Sequence, residues 1–236
     1  MDMQKLEAIN QAVVECTACP RLISYCREVA HTKKRAYRDD DYWGKPVPGF
    51  GDPAASLLIV GLAPAAHGAN RTGRMFTGDG TDGMGSADFL ARVLHRFGIA
   101  SQPTSLQRGD GLTLHDAYLS SIVRCAPPAN RPTRDEIANC AQHLQREIQA
   151  LLSLRAILTL GKLAFDQVLR AFGERGAAIP RPRPKFAHGV VVHLGDDFPV
   201  LVGSYHPSRQ NTQTGRLTES MFGEVIELAQ TLAKGQ

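Results

Sequence analysis

The chain has 236 residues, of which 43% are hydrophobic and 21% charged, and its formal net charge is +4. This balance predicts a globular chain with a sizeable core, and the mild basicity is compatible with a nucleic-acid partner. The longest apolar run, SLLIVGLAPAA, is too short and too glycine-rich to span a bilayer, so no membrane association is expected. The first residues lack a basic segment followed by an apolar core, which predicts a cytoplasmic protein without structural disulfides.

Helical and strand patterns alternate along the chain. Residues 6–14 carry apolar side chains at helical spacing, the following segment KKRAYRDDDYWGKPVPGFGDP predicts a surface loop, and SLLIVG predicts a buried strand. Further helices are predicted at 86–97, 134–154, 162–172 and 217–233, and further strands at 117–123, 156–160, 190–194 and 199–202. This order predicts an α/β fold, a three-layer α/β/α sandwich with a central mostly parallel sheet, as a single domain over residues 1–236.

The segment 61–79, GLAPAAHGANRTGRMFTGD, leaves the carboxyl end of the first clear strand, where open α/β sheets bind ligands. It holds four glycines, two arginines, one aromatic residue, one histidine and one carboxylate. This composition favours a site over a plain connecting loop, because glycine lets a ligand approach the main chain closely. A phosphate-binding GxxxxGK loop is disfavoured, since Arg74 and Met75 stand at the lysine and hydroxyl positions.

Four of the five cysteines form a candidate metal site. Cys16 and Cys19 make a CxxC pair, Cys125 ends a predicted strand, and Cys140 lies in the helix that follows. Four thiolates suffice for an iron–sulfur cluster or a structural zinc. The wide spacing of the second pair favours the cluster, while a redox CxxC and unrelated buried cysteines stay open as alternatives. Cys26 is interpreted as a packing residue.

Three motifs together resemble the uracil-DNA glycosylase superfamily, and within it family 5, the type b enzymes that carry a four-iron cluster. They are GLAPAAHGANRTGRMFTGD, the CxxC together with RCAPPANRPTRDEIANC, and SYHPSRQNTQTGR. The resemblance extends from Cys16 to about Thr218. It implies a central parallel sheet between helices and a 4Fe-4S cluster on Cys16, Cys19, Cys125 and Cys140. The implied substrate is DNA that contains uracil or another deaminated or modified base.

Two departures from the superfamily pattern bear on the chemistry. Ala63 stands where many members carry a polar residue that activates water, and type b enzymes share this feature. By resemblance to them, the water-activating residue is a later aspartate, Asp79. Ser121 stands where many relatives carry an asparagine that reads the base, and the shorter hydroxyl relaxes discrimination between bases.

The resemblance also assigns roles in base excision, which requires the base to be flipped into a pocket. Phe76 is expected to stack on the base and His206 to donate a hydrogen bond to its carbonyl, while Asp79 orients water. The expected residues are, for catalysis, Asp79 and His206; for base binding, Gly61, Ala63, Phe76, Ser121 and Asn211; and for the DNA backbone, Ser208 and Arg209.

These assignments predict a monofunctional, monomeric DNA glycosylase of base excision repair that hydrolyses the N-glycosidic bond and leaves an abasic site. Strand cleavage is not expected, because the core motifs hold no lysine to form a Schiff base. Two alternatives stay open. An iron–sulfur electron-transfer protein leaves Asp79, Phe76 and the HPS sequence unexplained, and a third possibility is a module that binds damaged DNA without cutting it.

Overall fold

A computed structural model describes residues 2–78 and 83–235 of the chain. Its helices are α1 Asp2–Val14, α2 Pro20–Thr32, α3 Ala69–Thr72, α4 Ser86–Arg96, α5 Arg134–Ala150, α6 Lys162–Glu174, α7 Arg209–Gln213 and α8 Glu219–Lys234. Its strands are β1 Phe50–Gly51, β2 Leu57–Gly61, β3 Ala117–Ser121, β4 Ala156–Leu160, β5 Val191–Val192 and β6 Val200–Ser204. Over these two described ranges, no helix combines the length and the apolar character that crossing a bilayer requires.

The described strands form one sheet in the order β1-β3-β2-β4-β6-β5. The four inner strands are mutually parallel, and the short strands β1 and β5 pair antiparallel at the two edges. In this register Gly61 of β2 lies opposite Ser121 of β3, and Leu160 of β4 lies opposite Ser204 of β6. The predicted mostly parallel sheet is therefore confirmed, and the inner strands all end at one edge, where a ligand site is expected.

Side chains of β2 alternate between two hydrophobic cores, one on each face of the sheet. Leu58 and Val60 pack in the core formed with α1, α2, α5 and α6, whereas Leu57 and Ile59 pack with α4 and α8. Successive side chains of a strand point to opposite faces, so a strand covered on both faces must be apolar at every position. This requirement explains the run SLLIVG and confirms the three-layer α/β/α architecture.

Four of these elements were not predicted from the sequence, namely the helices α2, α3 and α7 and the strand β1. Helix α2 buries Leu22, Cys26 and Val29, which have helical spacing, and begins at Pro20, a residue favoured at the first helical position. Strand β1 lies inside the segment predicted to be a surface loop, where two residues suffice to pair with β3. The strand predicted at 190–194 is also shorter, because only Val191–Val192 pairs with β6.

An ion pair to the capping box of α5 joins α2 to α5 and so brings two cysteine-bearing segments together. The Thr133 hydroxyl accepts from the Glu136 amide at 3.2 Å, and the Glu136 carboxylate accepts from the Thr133 amide at 2.7 Å. The Glu136 carboxylate also accepts from the Arg21 guanidinium at 2.7 Å. This ion pair holds the start of α2, directly after Cys19, against the first turn of α5.

Candidate active site

A pocket of about 290 Å³ lies at the edge of the sheet where the parallel strands end. It brings together the segment after β2, the start of α4, the connection after β3 and the segment after β6. Its lining residues are Leu62, Ala63, Pro64, Ala65, Ala69, Met75, Phe76, Thr77, Ser86, Ala87, Asn130, His206 and Ser208. Four of the predicted site residues therefore share one cavity, although they come from segments about 140 residues apart in sequence, Ala63 to His206 being 206 − 63 = 143 positions.

The half-buried ring of Phe76 lies against the main chain of Gly61. A Cβ atom at position 61 would be 2.6 Å from Cζ of that ring, so any residue larger than glycine at the end of β2 would displace the ring. Phe76 itself has a φ of 54°, which is rare for a bulky residue. The backbone is therefore held in an unfavourable conformation that directs the ring into the pocket.

His206 follows β6 and reaches the pocket beside Gly161, the residue after β4. A Cβ at Gly161 would be 3.5 Å from the His206 Cβ. The main-chain carbonyl of His206 accepts hydrogen bonds from the Asn211 side-chain amide and the Ser208 amide, each at 2.8 Å. The structure thus places the Asn211 side chain on the backbone that carries His206.

The remaining predicted site residues, Ser121, Ser208 and Arg209, differ in their burial and in their hydrogen bonds. Ser121 is 1% exposed, and its hydroxyl donates to the Val123 carbonyl at 2.7 Å. Ser208 caps the short helix α7 with its hydroxyl and also lines the pocket. Arg209, the first residue of α7, is exposed to solvent next to that pocket residue.

The predicted catalytic residue Asp79 lies outside the described residues, but the residue before it is tightly held. The Gly78 amide donates to the Ser105 carbonyl at 2.9 Å, and the Gly78 carbonyl accepts from the Arg71 guanidinium at 3.2 Å. A Cβ at Gly78 would be 2.6 Å from an Asp88 carboxylate oxygen. The main chain is therefore fixed as far as residue 78.

Sequence reasoning missed Asn130, which also lines the pocket. It is exposed, and it has a φ of 55° next to Ala129 at 52°. Asparagine tolerates this left-handed conformation better than most residues do. The asparagine in RCAPPAN was the available signal, but the proline-rich segment was interpreted only as a loop.

Arg74, which belongs to the segment 61–79, forms a buried ion pair with Asp110 behind the pocket. Their side chains are 5% and 8% exposed, and Nη2 of Arg74 lies 2.7 Å from Oδ2 of Asp110. Burial alone would raise the pKa of Asp110, but the guanidinium and three backbone amides that donate to its carboxylate hold that pKa well below its usual range. Those amides belong to Leu106, Gln107 and Leu112.

A second, small cavity of about 10 Å³ is lined by all four predicted cysteine ligands. Cys16 and Cys19 reach it from the α1–α2 connection, Cys125 from the segment after β3, and Cys140 from α5. Two N–H groups point at these sulfurs: the Arg124 amide lies 3.3 Å from Cys140 Sγ, and the Asn139 side-chain amide lies 3.8 Å from Cys19 Sγ. Donors of this kind suit negatively charged thiolate ligands.

The fifth cysteine, Cys26, is fully buried and lies beside this set. Its thiol donates to the Ala126 carbonyl, with Sγ 3.7 Å from the oxygen. Within the part of the chain that the structure describes, no three or more His, Cys, Asp or Glu side chains converge closely enough to hold a metal ion. The four cysteines share a cavity without forming a tight metal-ligand cage.

Comparison with known proteins identifies the class to which this fold and pocket belong. Residues 48–230 match the family model described as the uracil DNA glycosylase superfamily. The chain belongs to this superfamily, and the resemblance inferred from its motifs is confirmed.

Within the superfamily, the chain is similar to proteins named type-5 uracil-DNA glycosylase. It is 48% identical over 227 residues to that of Thermus thermophilus, which covers 96% of this chain and 98% of the relative. It is 47% identical over 226 residues to that of Mycobacterium tuberculosis, which covers 95% and 81%. It is 44% identical over 217 residues to that of Pyrobaculum aerophilum, which covers 92% and 88%.

Proposed function

We propose that this protein is a monofunctional uracil-DNA glycosylase, which excises uracil and other deaminated or modified bases and leaves an abasic site. The observation that carries the proposal is the single pocket that Phe76 and His206 share at the strand ends. Its volume of about 290 Å³ is near the lower end of small-ligand pockets, as expected for one flipped base. The names of the type-5 relatives support uracil as the base.

In this proposal Phe76 contacts the face of the flipped base, and His206 contacts one of its carbonyl groups. The Phe76 ring, seated on Gly61, stacks on the base face, since aromatic side chains stack on any nucleobase. His206 donates a hydrogen bond to the base carbonyl on which negative charge grows as the glycosidic bond breaks. Asn211 fixes the His206 backbone through the 2.8 Å hydrogen bond to its carbonyl, which keeps the imidazole aimed into the pocket.

Asp79 orients the attacking water and stabilises positive charge on the sugar as the base departs. A carboxylate with an ordinary pKa of about 3.9 is ionised at neutral pH, as this role requires. The methyl group of Ala63, which lines the pocket, offers no hydrogen bond to water. Asn130, which also lines the pocket, adds a side-chain amide that both donates and accepts hydrogen bonds.

The DNA backbone is held next to the pocket by Ser208 and Arg209. Ser208 lines the pocket and Arg209 is exposed beside it, so both are suited to phosphates that flank the flipped nucleotide. Ser121, which neighbours Gly61 in the sheet register, is the remaining residue of the proposed base-binding set. The enzyme acts as a cytoplasmic monomer with one domain.

Cys16, Cys19, Cys125 and Cys140 hold a 4Fe-4S cluster in this proposal. Their shared cavity and the two N–H groups aimed at Cys140 and Cys19 fit a set of thiolate ligands. When bound, the cluster supplies iron–thiolate bonds that fasten the α1–α2 connection to the β3–α5 region. The residues around it serve a structural role, since the cavity is distinct from the base pocket.

The test is base release from a labelled duplex that contains one uracil, with enzyme in excess. We expect abasic sites that yield a strand break only after alkali treatment, and no release from a matched duplex with thymine. Strand breaks without alkali would contradict a monofunctional enzyme. Folded, cluster-containing protein that binds the uracil duplex but releases no base would instead favour the damage-binding module.

A further inference from the structure

We infer that Arg74, Asp110 and Ser105 are positioning residues that set the placement of the Phe76 ring in the base pocket. The inference rests on the proposed function, because the ring is the surface on which the flipped base stacks. None of the three residues lines the pocket within the described parts of the chain. Their effect on base excision is therefore indirect and passes through Phe76.

A continuous set of hydrogen bonds runs from the ion pair to the Phe76 backbone. Nη2 of Arg74 donates to the Ser105 hydroxyl at 2.9 Å, and that hydroxyl donates to the Phe76 carbonyl at 2.9 Å. The same Nη2 also donates to Oδ2 of Asp110 at 2.7 Å, and Nη1 donates to Oδ1 of the same carboxylate. The planar fork of arginine serves both partners at once, which a lysine ammonium does not reproduce.

The loop that carries Ser105 is itself rigid, so it forms a fixed support. Two amides of residues 106 and 107 donate to the Asp110 carboxylate at 2.9 and 3.3 Å, which closes the loop on itself. The Ser105 carbonyl also accepts from the Gly78 amide at 2.9 Å. Residues 76 and 78 are therefore both held by Ser105, on the two sides of Thr77, which lines the pocket.

Phe76 needs such support because its conformation is unfavourable. A bulky residue with a φ of 54° relaxes unless its surroundings hold it in place. Two contacts oppose that relaxation: the ring tip meets Gly61, and the carbonyl accepts from Ser105. Removing the Ser105 hydroxyl deletes the hydrogen bond to the Phe76 carbonyl, so the ring is held less firmly at its angle in the pocket, while the Gly78–Ser105 main-chain bond remains.

The test compares Ser105→Ala in two backgrounds by single-turnover uracil release from duplex DNA. In the wild-type background we expect a loss of about 10-fold, the scale of one buried hydrogen bond. In the Phe76→Ala background, where no ring remains to be placed, we expect the same change to cost less than about twofold. Arg74→Lys, which keeps the charge but loses the fork, is expected to behave as Ser105→Ala does.

Ser101→Ala is the matched control, since Ser101 lies in the same loop region and its hydroxyl bonds to the main chain of Thr113 and Gly111. We expect wild-type base release from it. An equal loss from Ser105→Ala in both backgrounds would overturn the inference, because a general loss of stability acts without regard to the ring. If the wild-type protein releases no uracil, the proposed function fails and the inference fails with it.

Discussion

The Phe76 ring and the Gly61 main chain are so close that a Cβ at position 61 would lie 2.6 Å from the ring tip. Gly61→Ala therefore displaces the ring from the pocket while leaving the β2 hydrogen bonds in place. We expect uracil release to fall by about 5- to 150-fold, which corresponds to the roughly 1–3 kcal/mol of one base–aromatic stack. Single-turnover release with circular dichroism as a check of folding measures this.

Gly173→Ala is the control for that variant. Gly173 lies inside α6, and the nearest atom to its added Cβ is a flexible Ile179 side-chain carbon at 3.2 Å. Alanine in a helix is favoured over glycine by up to about 1 kcal/mol, so base release is expected to stay at the wild-type rate. Wild-type release from Gly61→Ala would show that the ring does not depend on this contact.

Asp79→Asn keeps the size of the side chain and removes its charge. We expect duplex affinity to be nearly unchanged and uracil release to fall by about 10²-fold or more, the usual scale for a positioned base. Asp82→Asn, three positions later, is the matched control and is expected to keep wild-type release. A wild-type rate from Asp79→Asn would remove this residue from the chemistry.

His206→Ala removes the proposed donor to the charge that develops on the departing base. We expect base release to fall by roughly 10²–10³-fold, as for other donors to a developing oxyanion. Asn211→Ala, which loses only the hydrogen bond to the His206 carbonyl, is expected to lose about 5-fold to 10-fold. His193→Ala, an exposed histidine after β5, serves as the control. Equal losses from the His206 and His193 variants would contradict the assignment.

Cys16→Ala removes one of four ligands from the proposed cluster. Protein purified without oxygen should lose iron and its absorbance near roughly 400 nm, an expectation for cysteine-ligated clusters. Cys26→Ala is the control, because Cys26 is buried beside the set but belongs to the packing around it. If the Cys26→Ala variant loses iron and the Cys16→Ala variant retains it, Cys26 is the ligand and Cys16 is the packing residue.

Asp110 makes folding stability depend on pH. Its pKa is lower in the folded state than the ordinary value of about 3.9, so its contribution is present above that pH and disappears as the pH falls through the folded-state value. Asp110→Asn leaves a buried Arg74 charge unpaired, which should lower the free energy of unfolding by about 3 kcal/mol or more at pH 7.

The difference between Asp110→Asn and the wild type should narrow as the pH drops below about 4, because the Asp110 carboxyl of the unfolded wild-type chain then takes up a proton, which favours unfolding. Urea unfolding at a series of pH values measures it. Asp166→Asn breaks a partly exposed pair with Lys162 and should change stability by less than about 1 kcal/mol. A difference that stays constant down to pH 2 would contradict a lowered Asp110 pKa.

The architecture was predictable because hydrophobic periodicity and the positions of the strands can both be recognised within short stretches of sequence. The apolar run of β2 and the helical spacing of α4 and α5 fixed the layers, and the order of strands and helices predicted the parallel sheet. Helix α2 was missed because its buried residues lie between a CxxC pair and a charged loop. Strand β1 was missed because its two residues are too few for a pattern.

The pocket was predictable only in part, because the motifs identify residues that line it but not the residues that hold those in place. Phe76 and His206 follow strands, so the topology alone brings them to one edge. Asp110 and Ser105 lie in an irregular segment whose partner, Arg74, is 110 − 74 = 36 positions away. No periodic pattern in the sequence marks a contact between residues so far apart. Asn130 was missed because it lies in a proline-rich loop, which has no periodic pattern either.

The four cysteines that line one cavity have a consequence for biosynthesis. Cys16 and Cys125 are 125 − 16 = 109 positions apart, and the last member of the set is residue 140 of 236. A nascent chain that ends before that position lacks a complete ligand set, whatever iron the cell supplies. Loading of the proposed cluster is therefore expected to be a late event that reports on assembly, since only a chain whose β3 and α5 have docked against the first helices presents all four sulfurs together.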